Sequence, residues 1–259
     1  MSVIVSSYKD ELFTQFCESV KHTIGCRYEI IRVENPGCYS LCEAYNIGLS
    51  RACGEYVCFI HDDVRFLSMD WGKHCISVLS EDTKIGLIGV AGCAYKSTVA
   101  GSWFSTFTYE YCRGIICQGN NTFASKRWDD FDKRLVKEDL SEVVCIDGVF
   151  MCTKIEIANM VKFDEKLFTG YHCYDLDFST AIFIKGYRVV VDRNILLHHA
   201  SQGAFNHDFA HYAWKYVWKW RHDLPLCAYD IPKRKVLYIE FRNWYSFLKH
   251  KLLKFIEHE

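Results

Sequence analysis

Two neighbouring carboxylates follow one of the most apolar stretches of the chain. Residues 55–60 are nearly all apolar, and His61, Asp62 and Asp63 come directly after them. Carboxylate oxygens are hard ligands suited to divalent cations, and the end of a buried strand would hold them in a fixed position. The alternative is a turn in which one Asp caps a helix. The pair therefore indicates either a metal site or a structural turn.

Further ionisable side chains occur in the second half of the chain. Asp175 and Asp177 stand two residues apart at the start of a predicted helix over residues 175–185, where carboxylates cap a helix and interact favourably with its dipole. His199 follows a predicted strand, and a neutral imidazole can complete a metal shell; a core or surface histidine is the alternative. Asp147 precedes Gly148, which is compatible with ligand contact or with a turn.

Alternating strands and helices precede the acid pair. The pattern of apolar residues predicts strands over residues 2–7, 28–33 and 55–60, and helices over residues 10–22 and 40–51. This alternation implies βαβ units and a parallel sheet, with the near-continuous apolar strands covered on both faces. Ligands bind beyond the carboxyl ends of such strands. Tyr8, Glu34 and the Asp62–Asp63 pair are therefore expected to converge on one crevice.

The rest of the chain is less regular. Ser40, with Glu43 three residues later, predicts a capped start for its helix. The later pattern predicts helices over residues 71–79, 175–185 and 209–221, and strands over residues 85–91, 143–153 and 187–191. Residues 92–142 are predicted to be an irregular connection, a feature that is usually functional or disordered. Its aromatic side chains either stack on a ligand or belong to the core; they are Trp103, Phe104, Phe107, Tyr109 and Tyr111.

Composition limits the function classes. The chain has 259 residues and a formal net charge of −1, which gives no support to nucleic-acid binding. Fourteen cysteines are interpreted as small buried side chains in a reducing compartment; Cys38 and Cys42 have a spacing that suits zinc but lack a second pair. The N-terminus does not resemble a signal peptide, and no stretch reaches the roughly 18 apolar residues of a membrane span. We therefore expect a cytoplasmic protein, or one peripheral at the inner face of the membrane.

Several segments together resemble family-two-like glycosyltransferases of the GT-A fold, within a bacterial and poorly characterised branch. The first half contains, in order, SVIVSSY, EIIRVEN and EAYNIGLSRACGEYVCFIHDDV. The second half contains VCIDGVFMCT, FDEKLFTGYHCYDLDFSTAIFIKGYRVVVD and LHHASQG. The resemblance spans residues 2–225 in the family's order. It implies an α/β domain over residues 1–225, with a mixed, mostly parallel sheet covered by helices on both faces, and a helical extension over residues 226–259.

The resemblance also assigns roles. Asp63 would bind a divalent metal, Mn²⁺ or Mg²⁺, and His199 would complete its shell. Asp62 would assist through the metal or the ribose. Asp175 would be the general base that deprotonates an acceptor hydroxyl, which is a poor nucleophile at neutral pH. Asp147 would contact the transferred sugar or the acceptor. The positions matching nucleotide contacts in the family are Ser6, Tyr8, Glu34 and Asn46. His61 and Tyr174 depart from the family pattern, in which acidic residues are usual at both positions.

The resulting hypothesis is an inverting glycosyltransferase. A metal would neutralise the diphosphate leaving group, and one base opposite that group implies direct displacement. The expected donor is a UDP-sugar, because an acidic residue such as Glu34 can accept the imide hydrogen of uracil; the acceptor would be a glycan or a lipid-linked hydroxyl. Two alternatives stay open: a degenerate relative that only binds a glycan or a protein, and a nucleotidyltransferase, although Ser6 to Lys9 contain no glycine for a phosphate loop.

The C-terminal segment, residues 233–255, combines basic residues with an apolar stripe at helical spacing. A basic amphipathic helix can lie on an anionic membrane. Packing on its own domain or on the partner in a homodimer is the alternative.

Overall fold

The computed structural model describes residues 1–120, 123–124, 126–201, 203 and 206–256, with the backbone alone for Thr106 and residues 250–256. Its helices are α1 (Asp10–Thr23), α2 (Leu41–Arg51), α3 (Trp71–Glu81), α4 (Ile155–Val161), α5 (Tyr174–Ile184), α6 (His207–Lys219) and α7 (Lys233–Ile256), with a 3₁₀ helix at Thr106–Tyr111.

The strands are β1 (Ser2–Ser7), β2 (Glu29–Glu34), β3 (Tyr56–His61), β4 (Val64–Phe66), β5 (Ile85–Gly89), β6 (Ala91–Cys93), β7 (Tyr95–Lys96), β8 (Cys112–Gln118), β9 (Arg127–Asp130), β10 (Leu140–Val143), β11 (Cys145–Ile146), β12 (Phe150–Lys154), β13 (Arg188–Asp192), β14 (Leu197–His199) and β15 (Leu226–Cys227).

A seven-stranded mixed sheet forms the centre of the fold, in the order β10-β13-β5-β12-β3-β1-β2. As predicted, β1 lies parallel to both β2 and β3. β12 then returns antiparallel between β3 and β5, so the sheet has as many antiparallel pairs as parallel ones. Helices α1 to α5 contact its strands. The carboxyl ends of β1, β2 and β3 therefore meet at one edge, where Ser7 pairs with Glu34 and Ser6 with His61.

The prediction that residues 92–142 form an irregular connection is wrong. This region supplies strands to a second sheet, in the order β11-β6-β8-β14-β4 with β9 beside β8. These segments lack the clear two-residue alternation that identifies a half-buried strand; β8, for example, is buried at five of its seven positions. The second sheet matters for function because β14 brings His199 beside Val64, next to the acid pair.

Helix α2 begins as its sequence predicts. The Ser40 side chain accepts a hydrogen bond from the Glu43 backbone N–H, and the Glu43 side chain accepts one from the Ser40 N–H. The helix then lies close against β1, because a Cβ atom at Gly48 would stand only 2.3 Å from the side chain of Ile4. Gly48 is thus required by helix–strand packing.

An aromatic cluster joins α2, β3 and α5 beneath the candidate site. Phe163 stacks on Phe178 with 4.2 Å between ring centroids, and meets Phe59 edge-on at 4.9 Å. Tyr45 of α2 contacts Phe59 at 5.1 Å and Tyr174 at 5.7 Å. Burial of such large rings, with aromatic contacts of about 0.5–1.5 kcal/mol beyond area burial, makes this region a rigid base for the first turn of α5.

Most cysteines are buried and all are free thiols, in keeping with the interpretation as small core residues. Cys38 is exposed while Cys42 is buried. In the described part of the chain, no helix is long and apolar enough to cross a membrane.

Candidate metal and acid–base site

Three ligand-bearing side chains meet where β3 ends beside β14. His61 Nδ1 lies 3.4 Å from His199 Nε2 and 4.0 Å from Asp63 Oδ1, and His199 Nε2 lies 3.4 Å from the same Asp63 oxygen. Asp63 is fixed from the other side, because its Oδ2 accepts a hydrogen bond from the Ser201 backbone N–H at 3.0 Å. The structure thus brings together the two predicted metal ligands and adds His61.

The donor set of this cluster fits a divalent metal. Two ligand atoms that each lie about 2.1 Å from one ion are roughly 3 to 4 Å apart. The three ligand atoms of this cluster have such separations, 3.4, 3.4 and 4.0 Å, and all lie within 4.8 Å of one another. Imidazole ligands suit first-row transition ions, whereas Mg²⁺ prefers oxygen ligands alone. His61, Asp63 and His199 are therefore the residues that could hold a divalent metal, and their two imidazoles make Mg²⁺ a poor fit.

The electrostatics of the cluster keep Asp63 ionised. Burial alone would raise the pKa of Asp63, but the hydrogen bond and charge of His199 bring that pKa well below its usual range. Burial would lower the pKa of His199, yet its contact with Asp63 raises it. Burial, followed by the charge of His199, lowers the pKa of His61. The cluster thus contains a carboxylate and a neutral imidazole before any metal arrives.

Reasoning from the sequence missed His61, which was interpreted only as a departure from the family pattern. His61 is the last residue of β3, and Asp63 lies in the turn before β4. The available signal was the position of His61 directly before the acid pair. The neighbouring His198 points elsewhere and meets the ring of Phe123 edge-on at 5.1 Å.

Tyr174 links this cluster to the start of α5. Its hydroxyl lies 2.7 Å from His61 Nε2 and occupies the space above Gly148, where a Cβ would meet it at 2.1 Å. A side chain at position 148 would therefore displace Tyr174 from His61. The aromatic residue at the position where the family usually has Glu is thus a hydrogen-bonding partner of the cluster.

Asp175 follows Tyr174 and is held by two backbone donors. Its Oδ1 accepts from the Leu176 N–H at 2.8 Å and its Oδ2 from the Gly148 N–H at 3.0 Å. Burial, then the negative charge of Asp147, raises the pKa of Asp175 to about 7. Asp147 accepts hydrogen bonds from the Trp103 indole and the Val149 N–H, each at 2.9 Å. A fixed carboxylate with a near-neutral pKa is suited to act as a general base.

Asp177 has a different environment from Asp175. It is buried, and its carboxylate accepts hydrogen bonds from Trp220 Nε1 and Lys219 Nζ, each at 2.9 Å. Lys219 also pairs with Asp164 at 2.8 Å. Asp177 therefore joins α5 to the end of α6.

A cavity of about 860 Å³ connects these groups. The metal-cluster histidines and both acidic residues line it: His61, His199, Asp147 and Asp175. An aromatic wall of the cavity comes from the region mispredicted as irregular and from the loop before α5, and includes Trp103, Phe104, Tyr109, Trp128, Phe131 and Tyr171. Of the predicted aromatic group, Tyr111 is instead buried in the core. The space accommodates a ligand of substrate size.

The predicted nucleotide contacts lie at the carboxyl edge of the sheet. Tyr8 and Glu34 are exposed there, and the Ser6 hydroxyl accepts a hydrogen bond from Asn35 at 3.2 Å. Burial, with the charge of Asp63, raises the pKa of Asp62. Among the described residues, the cavity lining does not include these four positions or Asn46.

Asn46 makes a structural connection. Its amide nitrogen donates hydrogen bonds to the Phe163 carbonyl at 2.9 Å and to the Glu165 carboxylate at 2.7 Å. Its amide oxygen accepts a hydrogen bond from the Phe163 N–H at 3.1 Å. The side chain thus ties α2 to the loop after α4, which carries one ring of the aromatic cluster.

Comparisons with solved structures agree with this fold. One similar solved structure is the mannosyltransferase PcManGT from Pyrobaculum calidifontis in complex with GDP-Man and Mn²⁺, with a TM-score of 0.54, 14% identity, and coverage of 92% of this chain and 68% of that chain. A second is S. aureus TarS 1–349, with a TM-score of 0.51, 14% identity, and coverage of 95% of this chain and 72% of that chain. A third is GalNAc-T7 with UDP, GalNAc and Mn²⁺, with a TM-score of 0.53, 11% identity, and coverage of 78% of this chain and 44% of that chain. The chain thus spans less than half of the GalNAc-T7 chain. At these identities the likeness shows the fold, which is that of GT-A glycosyltransferases, as predicted.

The family follows from the sequence match. The profile of a family described as "Glycosyltransferase like family" matches residues 2–220, so the chain belongs to that glycosyltransferase-like family. The predicted family resemblance is therefore confirmed. No curated protein matches the chain.

Proposed function

We propose that the protein is a metal-dependent inverting glycosyltransferase that moves a sugar from a nucleotide-sugar donor, with UDP as the expected nucleotide, to a hydroxyl acceptor. The observation that carries the proposal is the pairing, in one cavity, of a transition-metal ligand cluster with a separate carboxylate of near-neutral pKa. Family membership supports sugar transfer. Similar structures that hold UDP or GDP-Man with Mn²⁺ support a nucleotide-sugar donor.

The metal cluster is the proposed binding site for the diphosphate of the nucleotide-sugar donor. When bound, the metal supplies positive charge against the diphosphate. Asp63 and His199 are the proposed ligands, and His61 joins them. Asp62 and the sheet-edge residues Ser6, Tyr8, Glu34 and Asn46 remain the proposed contacts to the nucleoside and diphosphate. Of these, Asn46 has the weakest support, because its amide is already bonded to Phe163.

Asp175 is the proposed general base. Its two backbone hydrogen bonds fix the carboxylate, and each oxygen keeps a lone pair with which it can accept the proton of an acceptor hydroxyl. The pKa of about 7 makes it a stronger base than an exposed carboxylate while leaving much of it ionised at neutral pH. Asp147, next to it in the cavity, is the proposed contact to the sugar or acceptor.

The proposal is tested by turnover of nucleotide sugars. Wild-type protein with Mn²⁺ is incubated with a panel of UDP-, GDP- and CMP-sugars, and release of the nucleotide is measured with and without candidate acceptors. NMR of the product gives the anomeric configuration, and we expect inversion. Asp175→Asn should lower transfer by on the order of 10²–10⁴-fold.

Asp10→Asn is the matched control for Asp175→Asn. Asp10 also lies in the first turn of a helix, but its side chain is 89% exposed and pairs with Arg32. Full transfer by a folded Asp175→Asn protein would remove the base assignment. Nucleotide binding without any turnover of donor would instead favour the degenerate binding protein.

A further inference from the structure

One face of α7 anchors the helix to the body of the protein. Ile239 and Asn243 are buried, and Glu240 accepts hydrogen bonds from the Tyr95 hydroxyl at 2.9 Å and the Thr98 N–H at 3.0 Å. Trp244 Nε1 donates to the Thr98 hydroxyl at 2.9 Å. The orientation of the helix about its axis is therefore fixed over its first three turns and more.

The opposite face of α7 exposes large apolar side chains to solvent. Their spacing of roughly three to four residues places them along one side of the helix. They are Leu237 (71% exposed), Tyr238 (58%), Phe241 (67%), Tyr245 (58%) and Leu248 (58%). We call these five residues the α7 apolar stripe. Contiguous exposed apolar surface of this kind marks an interaction site.

The exposed charges that α7 itself carries, over its described side chains, have one sign. Five basic side chains of α7 are exposed beside it: Lys233, Arg234, Lys235, Arg242 and Lys249. Glu240 is the one acidic residue between positions 233 and 256, and its carboxylate is turned toward the body. Lys235 also reaches Glu110 at 3.1 Å, and the Arg242 guanidinium lies 4.8 Å from the Phe107 ring centroid. The outer face of α7 is thus apolar and cationic.

We propose that this outer face binds an anionic membrane surface. Aromatic and leucine side chains enter the interface between headgroups and acyl chains, while Lys and Arg on the flanks meet anionic headgroups. A second copy of this chain is a poorer partner, because packing two such faces together would bring their basic side chains close to one another.

The location of α7 also suggests the class of acceptor, an extension that rests on the proposed function. The 3₁₀ helix Thr106–Tyr111 contacts α7 and carries Tyr109, which lines the cavity. Arg242 meets Phe107 on the same turn. A membrane bound to α7 would therefore lie near the aromatic wall of the cavity, which suits an acceptor hydroxyl carried on a lipid.

The test is vesicle binding by the whole 259-residue chain without nucleotide. Flotation is measured with vesicles of phosphatidylcholine alone and of phosphatidylcholine mixed with phosphatidylglycerol. We expect binding to the anionic vesicles that weakens with salt. Each basic side chain near an anionic surface contributes on the order of fivefold in affinity, so Arg242→Glu with Lys249→Glu should weaken binding by at least about tenfold. Phe241→Ser with Tyr245→Ser should abolish it.

Matched controls distinguish binding by this surface from nonspecific binding by exposed apolar side chains. Leu135 and Val136 are 103% and 81% exposed in another part of the molecule, and their double replacement by Ser should leave vesicle binding unchanged. No binding to anionic vesicles, or equal binding by all variants, would overturn the proposal. So would sedimentation of a dimer that Phe241→Ser with Tyr245→Ser converts to a monomer.

The same variants distinguish this inference from the proposed function. The α7 variants should keep Mn²⁺-dependent nucleotide binding and lose vesicle binding. Donor turnover with a soluble acceptor but no vesicle binding would remove the membrane proposal alone. Vesicle binding without any nucleotide binding would remove the proposed function and leave the α7 surface intact. Turnover that increases only when the acceptor is presented on anionic vesicles would support the lipid-linked class.

Discussion

At the scale of single residues, the two ring nitrogens of His61 face different partners. Nε2 lies 2.7 Å from the Tyr174 hydroxyl, and Nδ1 faces Asp63 and His199. Only a nitrogen without a proton can bind a metal. When Nδ1 binds a metal, the proton is on Nε2, and the Tyr174 hydroxyl is placed to accept a hydrogen bond from that N–H. Tyr174 is therefore a positioning residue that would hold the ring of a metal-bound His61, in the way that outer partners orient metal-bound histidines.

We expect Tyr174→Phe to weaken Mn²⁺ binding by about tenfold or more, because His61 loses the hydroxyl that holds its ring in place. Electron paramagnetic resonance of free Mn²⁺, titrated with protein in the absence of nucleotide, measures this directly. Tyr45→Phe is the matched control, since the buried Tyr45 hydroxyl makes no hydrogen bond within the described residues. Equal Mn²⁺ affinity in wild type and Tyr174→Phe would contradict the positioning role.

The raised pKa of Asp175 predicts a pH dependence. A general base acts when deprotonated, so kcat/KM should rise with pH through about 7 and level off above it. The negative charge of Asp147 helps to raise that pKa; Asp147→Asn removes the charge, and the rise should move to lower pH. Trp103→Phe removes a hydrogen bond to Asp147 but keeps the charge, so the rise should not move to lower pH. An unchanged profile in Asp147→Asn would argue against Asp175 as the titrating base.

Part of this site was predictable, because residue type and the order of the motifs limit which side chains could bind a metal. Asp63 and His199 were expected to share a metal site, and they lie 3.4 Å apart. The environment that distinguishes Asp175 from Asp177 was not predictable, because both occupy the first turn of one helix. The difference comes from Gly148, Lys219 and Trp220, which are distant in sequence and meet these carboxylates only after folding.

At the scale of elements, Asp177 contributes to packing between helices. Its buried carboxylate joins α5 to Lys219 and Trp220 at the end of α6. Removing one partner of a buried pair leaves the other charge without full compensation, which costs roughly 3–5 kcal/mol. Lys219 is 26% exposed and keeps Asp164, so the cost here should fall toward the lower end.

Asp177→Ala should therefore reduce the free energy of unfolding by about 2–4 kcal/mol, which corresponds to a fall in melting temperature of roughly 4–16 °C for a domain of this size. Thermal unfolding by circular dichroism measures the change. The folded variant should retain Mn²⁺ binding, because Asp177 does not contact the metal cluster. Asp208→Ala, in the first turn of α6 and exposed, is the control. A melting temperature as high as that of wild type would refute the packing role.

Local sequence patterns correctly predicted the strands and the helix whose conformation depends mainly on neighbouring residues. The apolar strands β1, β2 and β3 and the capped helix α2 formed within one residue of the expected bounds. Residues 92–142 were mispredicted because several of their strands pair with strands far along the chain, β8 with β14, β10 with β13 and β7 with β15. Pairing of this kind depends on tertiary contacts that leave little periodicity in the sequence.

At the scale of the whole molecule, residues from both sheets line the cavity. The seven-stranded sheet supplies His61 from β3, the second sheet supplies His199 from β14, and α5 supplies Asp175. A donor bound at the metal cluster and an acceptor near Asp175 would thus meet in one space. The aromatic wall and α7 both belong to the side of the cavity that we assign to the acceptor.

The central claim is that His61, Asp63 and His199 hold a metal that binds a nucleoside diphosphate. Thermal unfolding with UDP, GDP or CDP, each with Mn²⁺, Mg²⁺ or EDTA, tests it most directly. A ligand at 100 times its dissociation constant stabilises the native state by about 2.7 kcal/mol, so the melting temperature should rise by roughly 5–10 °C with UDP and Mn²⁺. The rise should be smaller with Mg²⁺ and absent with EDTA or in Asp63→Ala, but present in Asp10→Ala. A shift of the same size in EDTA or in Asp63→Ala, or no shift with any nucleotide, would contradict the account.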